Sequence, residues 1–185
     1  ARRPRAACPG PGPGRPIRRR RASSAPLAAE DVLVHVVGEG FERARLEAEA
    51  RERGLDHVRF EPPRPAEAIP EVLAAADGIL VMLRDGPLYE HALPTKLLEG
   101  MAAGRPVIVS AAGEAATIVA KAEAGYVARP EDPASLRRAI REFAADPGRA
   151  ARGRAGRALA ETTYDRLAAV TALASYLEAV IRSTS

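Results

Sequence analysis

The sequence predicts an α/β fold, in which a parallel, doubly wound sheet carries helices on both faces. Three observations predict it. Short runs rich in valine, isoleucine and leucine recur along the chain, at a length typical of buried strands. Amphipathic helical patterns separate these runs, which is the alternation expected of a parallel sheet. Only 4% of the residues are aromatic, so the core must consist mainly of alanine, leucine and valine. Their spacing, which alternates between that of strands and that of helices, suggests α/β layers.

Each element follows from its periodicity and from the residues that stop it. Strands are predicted where β-branched residues run together and end at glycine or proline, and helices where apolar residues recur every three or four positions. Asp132 is the predicted cap of its helix, with Pro133 in the first turn. In chain order the elements are strand 32–37, helix 42–53, strand 58–60, helix 66–75, strand 78–83, loop 84–93, a short helix that has Pro94 in its first turn and is terminated by Gly104, strand 107–110, helix 113–122, strand 125–128, and helices 132–145, 149–161 and 164–182.

Residues 1–29 differ in composition, being rich in arginine, proline and glycine and without hydrophobic periodicity. Eight of the 28 basic residues and none of the 24 acids lie there, so the rest of the chain is slightly acidic. Such a segment cannot bury enough apolar surface to fold alone. We therefore predict a disordered basic tail at 1–29 and a folded domain at 30–185. The arginines at 18–21 leave contact with nucleic acid or an anionic membrane as alternatives.

The most informative stretch is 93–110, which predicts a short helix followed by a buried strand. Pro94 suits a first helical turn, and Gly104 with Pro106 ends the helix. Lys96 and Glu99 lie three residues apart near the start of this helix. Free N–H groups and a partial positive charge make a helix start a good place for a phosphate.

The chemistry of this helix start favours a nucleotide ligand. Thr95 and Lys96 are candidates for binding a diphosphate, and Glu99 is placed one turn further in, where a carboxylate can accept hydrogen bonds from a ribose diol. Lys96 is one of only two lysines in an arginine-rich chain, which favours a specific role over a solvated surface charge. An ordinary capped helix with solvated Lys96 and Glu99 is the alternative.

Three other segments are candidates for the same site. Gly38-Glu39-Gly40 follows a strand, but Arg43 stands where a dinucleotide fingerprint needs its third glycine, which argues against NAD. The small turn at Gly38 and Gly40 still lets a nucleotide or sugar approach the backbone. Gly113-Glu114 opens a helix after the strand 107–110, where a glutamate is favourable in any case. Glu90 and His91 lie in the loop before the helix start. They are candidates for contacting the ligand, and the alternative is that they are ordinary polar loop residues.

No metal site is predicted, and no catalytic residue is assigned. His35, His57 and His91 lack metal-ligand spacing, and no Asp-any-Asp pair is present. The single cysteine, Cys8, excludes an intramolecular disulfide. No run is long enough for a membrane span and no secretory signal pattern appears, so a cytoplasmic domain is expected, with peripheral membrane contact as an alternative.

Together these segments resemble the C-terminal, nucleotide-sugar-binding half of GT-B-fold glycosyltransferases, particularly family 4. The longest shared motif is 93–110, which is similar to the family's P-S-K-L-x-E-x-M-A-A-G-x-P-V. The resemblance runs from residue 32 to about 183. The other matching segments are 33–40 (strand, then G-x-G), 57–60 (N-V-x-F), 73–77 (L-x-x-A-D), 113–114 (the G-G/E turn) and 125–132 (G-x-x-x-x-P-x-D).

The resemblance implies transfer of a sugar from a nucleotide-diphosphate donor, with retention and without a bound metal or other cofactor. Glu99 matches the second glutamate of the family's E-x7-E motif, which binds the ribose. The first glutamate falls at His91, with Glu90 one residue before it. Thr95 and Lys96 would then lie by the diphosphate. The donor-binding residues implied are Gly38, Gly40, Glu90, His91, Thr95, Lys96, Glu99, Gly113 and Glu114.

The resemblance also implies that parts of the enzyme lie outside this chain. An N-terminal acceptor domain and the first strand of the present domain are expected to be missing, with residues 1–29 standing in place of that strand and its helix. The helix 164–182 resembles one that packs on the missing domain, so its apolar face is expected to be partly exposed. The expected partners are a nucleotide-diphosphate sugar and the acceptor domain, with no nucleic acid, and the isolated chain is expected to be inactive.

Two alternative functions stay open at this point. One is a nucleotide-sugar epimerase on the same fold. The other is a non-catalytic domain whose basic tail binds nucleic acid or a membrane surface.

Overall fold

The computed structural model describes residues 5–7 and 32–184. The strands of this part of the chain form a single sheet in which every neighbouring pair is parallel. They are β1 (Arg5–Ala7), β2 (Leu33–Val37), β3 (Val58–Glu61), β4 (Gly78–Met82), β5 (Val107–Ser110) and β6 (Gly125–Ala128). The strand order is β3-β2-β1-β4-β5-β6, the order of a Rossmann sheet.

Helices follow the strands in the alternation that the sequence predicts. The structure has α1 (Arg43–Glu52), α2 (Ile69–Ala75), α3 (Pro87–Glu90), α4 (Thr95–Ala102), α5 (Gly113–Lys121), α6 (Pro133–Ala145), α7 (Arg149–Thr163) and α8 (Arg166–Thr184). Asp132 caps α6 as predicted, its Oδ1 accepting hydrogen bonds from the N–H groups of Ala134 and Ser135 at 2.9 Å each. The stretch 84–93, predicted as a loop, contains the single turn α3.

The core lies on both faces of the sheet, because side chains alternate along each strand. On one face, Val107 and Val109 of β5 pack with Leu97 and Met101 of α4 and with residues of α2, α5 and α7. On the other face, Ile108 packs with residues of β6 and α6. Burial of each large side chain stabilises the fold by about 1.5–3 kcal/mol. The predicted parallel sheet with helices on both faces is confirmed.

One expectation about the N-terminal segment is wrong. Arg5–Ala7 forms a central strand, pairing in parallel with β2 on one side and β4 on the other, so the first strand of the sheet is present. The Arg-Ala-Ala sequence has no β-branched residue, but a strand between two others is held by backbone hydrogen bonds on both edges. Residues 1–4 and 8–31, including the arginines at 18–21 and Cys8, lie outside the described residues.

The last helix, α8, is exposed from Arg166 to Arg182. Leu167, Leu173, Tyr176 and Ile181 are between 58% and 75% exposed, as expected from the sequence. Over the described ranges, no helix is both long enough and apolar enough to cross a membrane.

Candidate functional site

The predicted site residues all lie at the carboxyl-terminal edge of the sheet. Because every strand is parallel, this edge collects the segments that follow β2, β4 and β5. Ligands of open α/β sheets bind outside this edge. Gly38 and Gly40 follow β2. Glu90, His91, Thr95, Lys96 and Glu99 follow β4, and Gly113 and Glu114 follow β5.

Helix α4 presents its polar residues on one face. Leu97, Gly100 and Met101 are buried against the sheet, whereas Thr95, Lys96 and Glu99 are exposed. Pro94 is the N-cap, and its carbonyl accepts a hydrogen bond from the N–H of Leu97 at 3.0 Å. The N–H groups of Thr95 and Lys96 precede this bond, have no partner within the helix and open at the edge of the sheet.

The side chains of Lys96 and Glu99 are available to a ligand. Within residues 5–7 and 32–184, neither side chain makes a hydrogen bond or an ion pair. Lys96 and Glu99 are three residues apart, and Thr95 and Glu99 four apart, so the three lie together on the helix surface. The arrangement places a cation, free backbone N–H groups and a carboxylate along about one turn of helix.

A close backbone contact brings the segment after β4 to the start of α5. Gly113 has a φ of +66°, and a Cβ there would lie 2.0 Å from the carbonyl oxygen of Glu90. Only glycine permits this approach. Glu90, His91 and Glu114 are exposed around the contact. The contact thus joins two of the predicted segments directly.

The turn at Gly38 and Gly40 lies apart from these residues. β1 separates β2 from β4, so the turn is two strand spacings away, or about 10 Å. Gly38 has a φ of +132°, and no atom of the described residues lies within 4 Å of a Cβ built at Gly38 or Gly40. Among residues 5–7 and 32–184, nothing fills the space directly beside this turn, which lies at a distance that an extended nucleotide diphosphate can span.

Arg43 joins the ends of two strands at this edge, a contact that the sequence did not predict. Its guanidinium donates hydrogen bonds to the carbonyl oxygens of Gly38 and Glu61, at the ends of β2 and β3. The sequence carries one signal for this contact, since Arg43 replaces the third glycine of a dinucleotide fingerprint. The spacing excluded that fingerprint but did not show what the side chain does instead.

A second polar cluster lies at the opposite edge of the sheet, where β6 begins and α6 ends. The Tyr126 hydroxyl donates to Asp146 Oδ2 at 2.6 Å, and Arg152 Nε donates to the same oxygen at 2.9 Å. The Arg152 guanidinium also stacks 4.9 Å from the Tyr126 ring centroid. This cluster lines an open cavity of about 610 Å³ that contains none of the predicted site residues.

Acidification is expected to destabilise the protein through Asp146. Hydrogen bonds from Tyr126, Arg152 and the Gly148 N–H lower the pKa of Asp146 from 3.8 to about 2. A carboxyl group whose pKa is lowered in the folded state contributes stability that is present above its ordinary pKa and lost as the pH falls toward the folded value. The contribution should fall away between about pH 5 and pH 2.

Urea unfolding measured across this pH range checks the prediction. Asp146→Asn should be less stable than the wild-type protein at neutral pH and should lose less stability on acidification. Glu67→Gln, an exposed change outside the cluster, should leave the acid slope unchanged. An unaltered acid slope in Asp146→Asn would contradict the assignment.

Comparisons with known proteins decide the family. The profile of the family "Glycosyl transferases group 1" matches residues 22–159. The chain belongs to this family. A D-inositol 3-phosphate glycosyltransferase of Streptomyces avermitilis is 37% identical over 119 residues, covering 63% of this chain and 25% of the relative. The 2-deoxystreptamine glucosyltransferase of Streptomyces kanamyceticus is 35% identical over 152 residues, covering 80% of this chain and 38% of the relative.

Solved structures agree with a GT-B glycosyltransferase domain. WaaG, a glycosyltransferase involved in lipopolysaccharide biosynthesis, has 29% identity and a TM-score of 0.60 over 74% of this chain and 35% of its own. Anabaena Alr3699/HepE, solved with UDP and glucose, has a TM-score of 0.68 over 80% of this chain and 41% of its own, and at 22% identity it supports the fold alone. The chain thus spans about a quarter to two-fifths of the length of these relatives.

Proposed function

We propose that this chain is the donor-binding, C-terminal half of a retaining, family-4-type glycosyltransferase. It would bind a nucleotide-diphosphate sugar at the carboxyl-terminal edge of the sheet. The observation that carries the proposal is the shared exposed face of α4, on which Thr95, Lys96 and Glu99 stand beside the first-turn N–H groups. The UDP bound by Alr3699/HepE supports a ligand of this class.

Each residue has a role that follows from its chemistry. The diphosphate gains negative charge as the sugar bond breaks, and the α4 N–H groups with Lys96 stabilise that charge without reorganising. Glu99 accepts hydrogen bonds from the two ribose hydroxyls. Gly113 and Glu114 border the sugar or the phosphate side. By resemblance the family works without a metal, and we propose the same here, since a fixed set of cationic and N–H donors can supply the needed charge.

Two observations support assigning the chain to the C-terminal half of the enzyme. A structure of the C-terminal domain of LpcC, a group 1 protein of Francisella tularensis, has a TM-score of 0.58 over 74% of this chain and 71% of its own. The exposed apolar residues of α8 also require a covering surface. We propose that the acceptor-binding half covers this helix and closes over Glu99. The family match favours this function over an epimerase on the same fold.

Thermal unfolding with a panel of nucleoside diphosphates tests the donor site. A nucleotide present at a hundredfold excess over its Kd should stabilise the folded state by about 2.7 kcal/mol. UDP, ADP, GDP and TDP would each be added alone, with the matching nucleoside monophosphate as control, because the diphosphate carries the extra charge that α4 is proposed to bind. Failure of every nucleotide to raise the Tm would contradict the proposal.

Turnover assays test whether the chain is half of an enzyme. The isolated chain is expected to release no sugar from nucleotide-sugar donors, because we propose that the acceptor side of the active site is formed by the N-terminal half. Release should appear when an N-terminal half from a group 1 relative is supplied. Rapid turnover by the isolated chain would overturn the assignment of a partial enzyme while leaving the donor site intact.

A further inference from the structure

Arg43 spans the ends of two neighbouring strands at the candidate site. Its Nη1 donates to the carbonyl oxygens of Gly38 and Glu61, the latter at 2.7 Å. Its Nε donates to Glu47 Oε1 at 2.8 Å, one turn along α1. The Arg43 N–H also donates to the Gly40 carbonyl at 3.1 Å. One residue therefore ties the turn after β2 to the end of β3 and to the helix that follows.

The bonded carbonyls lie where the parallel ladder runs out. The last ladder bond joins the Gly38 N–H to the Glu61 carbonyl at 3.2 Å. The Gly38 carbonyl lies just beyond this bond and takes its donor from Arg43. Left unbonded, its partial negative charge would face the edge at which an anionic ligand is proposed to bind. Nη1 donates to this oxygen and gives the Glu61 carbonyl a second donor, while Nε is held by Glu47. A lysine carries a single nitrogen on a flexible stem, so it cannot bind the carbonyls and Glu47 from two nitrogens of one rigid plane.

Little of the described part of the chain packs against the turn that Arg43 holds. No atom of that part lies within 4 Å of a Cβ built at Gly38 or Gly40, and Gly38 adopts a φ that side-chain-bearing residues rarely adopt. Such a segment would sample several conformations if the tie were cut, because glycine restricts the backbone least. The Arg43 side chain is 24% exposed. Most of it is therefore packed against the protein, and the rest reaches solvent at the carboxyl-terminal edge of the sheet.

The position of Arg43 also distinguishes this turn from a dinucleotide site. A third glycine there would let the helix pack close to the strand and bring its N-terminus to a pyrophosphate. The arginine fills that junction instead. The Arg43 side chain therefore occupies the start of α1, where a dinucleotide site would hold its pyrophosphate. The start of α4 is then the helix N-terminus proposed to bind the diphosphate.

We infer that Arg43 is a positioning residue for donor binding. It holds the turn 38–40 against the end of β3, so that this part of the edge is formed before the nucleotide arrives. The inference rests on the proposed function, because it assigns Arg43 to the same donor site. It goes beyond that function in giving a role to a residue outside the α4 and α5 segments.

Calorimetric titration of the whole chain with UDP, ADP, GDP and TDP, each alone, tests the inference. Arg43→Gln and Arg43→Lys should both bind the preferred nucleotide about tenfold more weakly, equivalent to about 1.4 kcal/mol. Arg45→Gln is the matched control. Arg45 lies on the same helix, is 63% exposed and pairs only with the side chains of Glu42 and Glu49. Its removal should change affinity by less than about twofold.

A role confined to stability would look different. It would lower the Tm of the Arg43 variants and leave the affinity of the folded protein unchanged, which would overturn the inference. Amide hydrogen exchange without ligand should show faster exchange at 38–40 in Arg43→Lys, with β5 unaffected. Should Arg43→Gln not fold, Arg43→Lys and Glu47→Ala, which removes the acceptor of the Nε hydrogen bond, carry the test.

The two proposals fail in distinguishable ways. A wild-type chain that binds none of the four nucleotides contradicts the proposed function. A wild-type chain that binds, together with an Arg43→Lys variant of equal affinity, contradicts the positioning role alone. Equal affinity in that variant would show that a positive charge suffices and that a guanidinium held through Nε by Glu47 is unnecessary.

Discussion

Replacing Glu99 with alanine should weaken nucleoside diphosphate binding by about ten- to a hundredfold, since a hydrogen bond to a charged group contributes about 1.5–3 kcal/mol. The physical reason is that α4 carries no second carboxylate that could take the place of Glu99 beside the proposed ribose. Calorimetric titration of the two proteins with the nucleotide that stabilises the wild type most strongly measures the loss. Glu99→Gln keeps one carbonyl acceptor but no charge, so its affinity should lie between those of the wild type and Glu99→Ala.

Two comparisons make this prediction specific. Glu142→Ala, an exposed glutamate on α6 that lines the cavity at the opposite edge, should bind as the wild type does. A 2′-deoxynucleotide should bind the wild type more weakly than the ribonucleotide, and this discrimination should largely disappear in Glu99→Ala, because the two changes remove the same contact. Undiminished discrimination would place the ribose away from Glu99.

Replacing Gly153 with alanine should destabilise the protein by about 2 kcal/mol or more, because it forces α7 away from α4. Helix propensity alone would favour the alanine by about 1 kcal/mol. However, an alanine Cβ at 153 would lie 2.2 Å from the carbonyl oxygen of Gly104, just beyond α4. A backbone atom cannot yield by a rotamer change, so the contact outweighs the propensity.

Gly156→Ala on the same helix is the matched control. Its Cβ would meet Met101 Cγ at 3.2 Å and Ala124 Cβ at 3.3 Å. Methionine is flexible enough to move a few tenths of an ångström, so the change should shift the free energy of unfolding by less than about 1 kcal/mol. Urea unfolding compares the two variants. A Gly153→Ala protein as stable as Gly156→Ala would show that α7 does not fix the position of α4.

Most of the fold could be predicted because local pattern and tertiary environment agree. β4 and β5 are apolar on both faces, and the structure buries alternate residues of each strand on opposite sides of the sheet. Asp132 and Pro133 marked the start of α6 correctly. The nine candidate residues lie in segments that follow predicted strands. Because those strands were predicted to be parallel, all nine were expected at the same edge of the sheet, where the structure has them.

The parts that could not be predicted depend on contacts between distant residues. β1 is stabilised by backbone pairing with β2 and β4, which leaves no trace in Arg-Ala-Ala. The Arg43 tie to Glu61 spans 18 residues. Tyr126, Asp146 and Arg152 form a cluster across three elements, and no spacing within any one of them indicates it. The close approach of Gly113 to Glu90 likewise became visible only from the folded backbone.

Locating the bound nucleotide shows whether α4 and its neighbours hold a nucleotide-sugar donor. Titration of the 15N-labelled chain with the preferred nucleoside diphosphate would locate it by amide chemical shifts. The largest changes are expected at Thr95 and Lys96, whose N–H groups open the helix, with smaller ones at 113–114 and 38–40. Changes confined to Tyr126, Asp146 and Arg152 at the opposite edge would contradict the account.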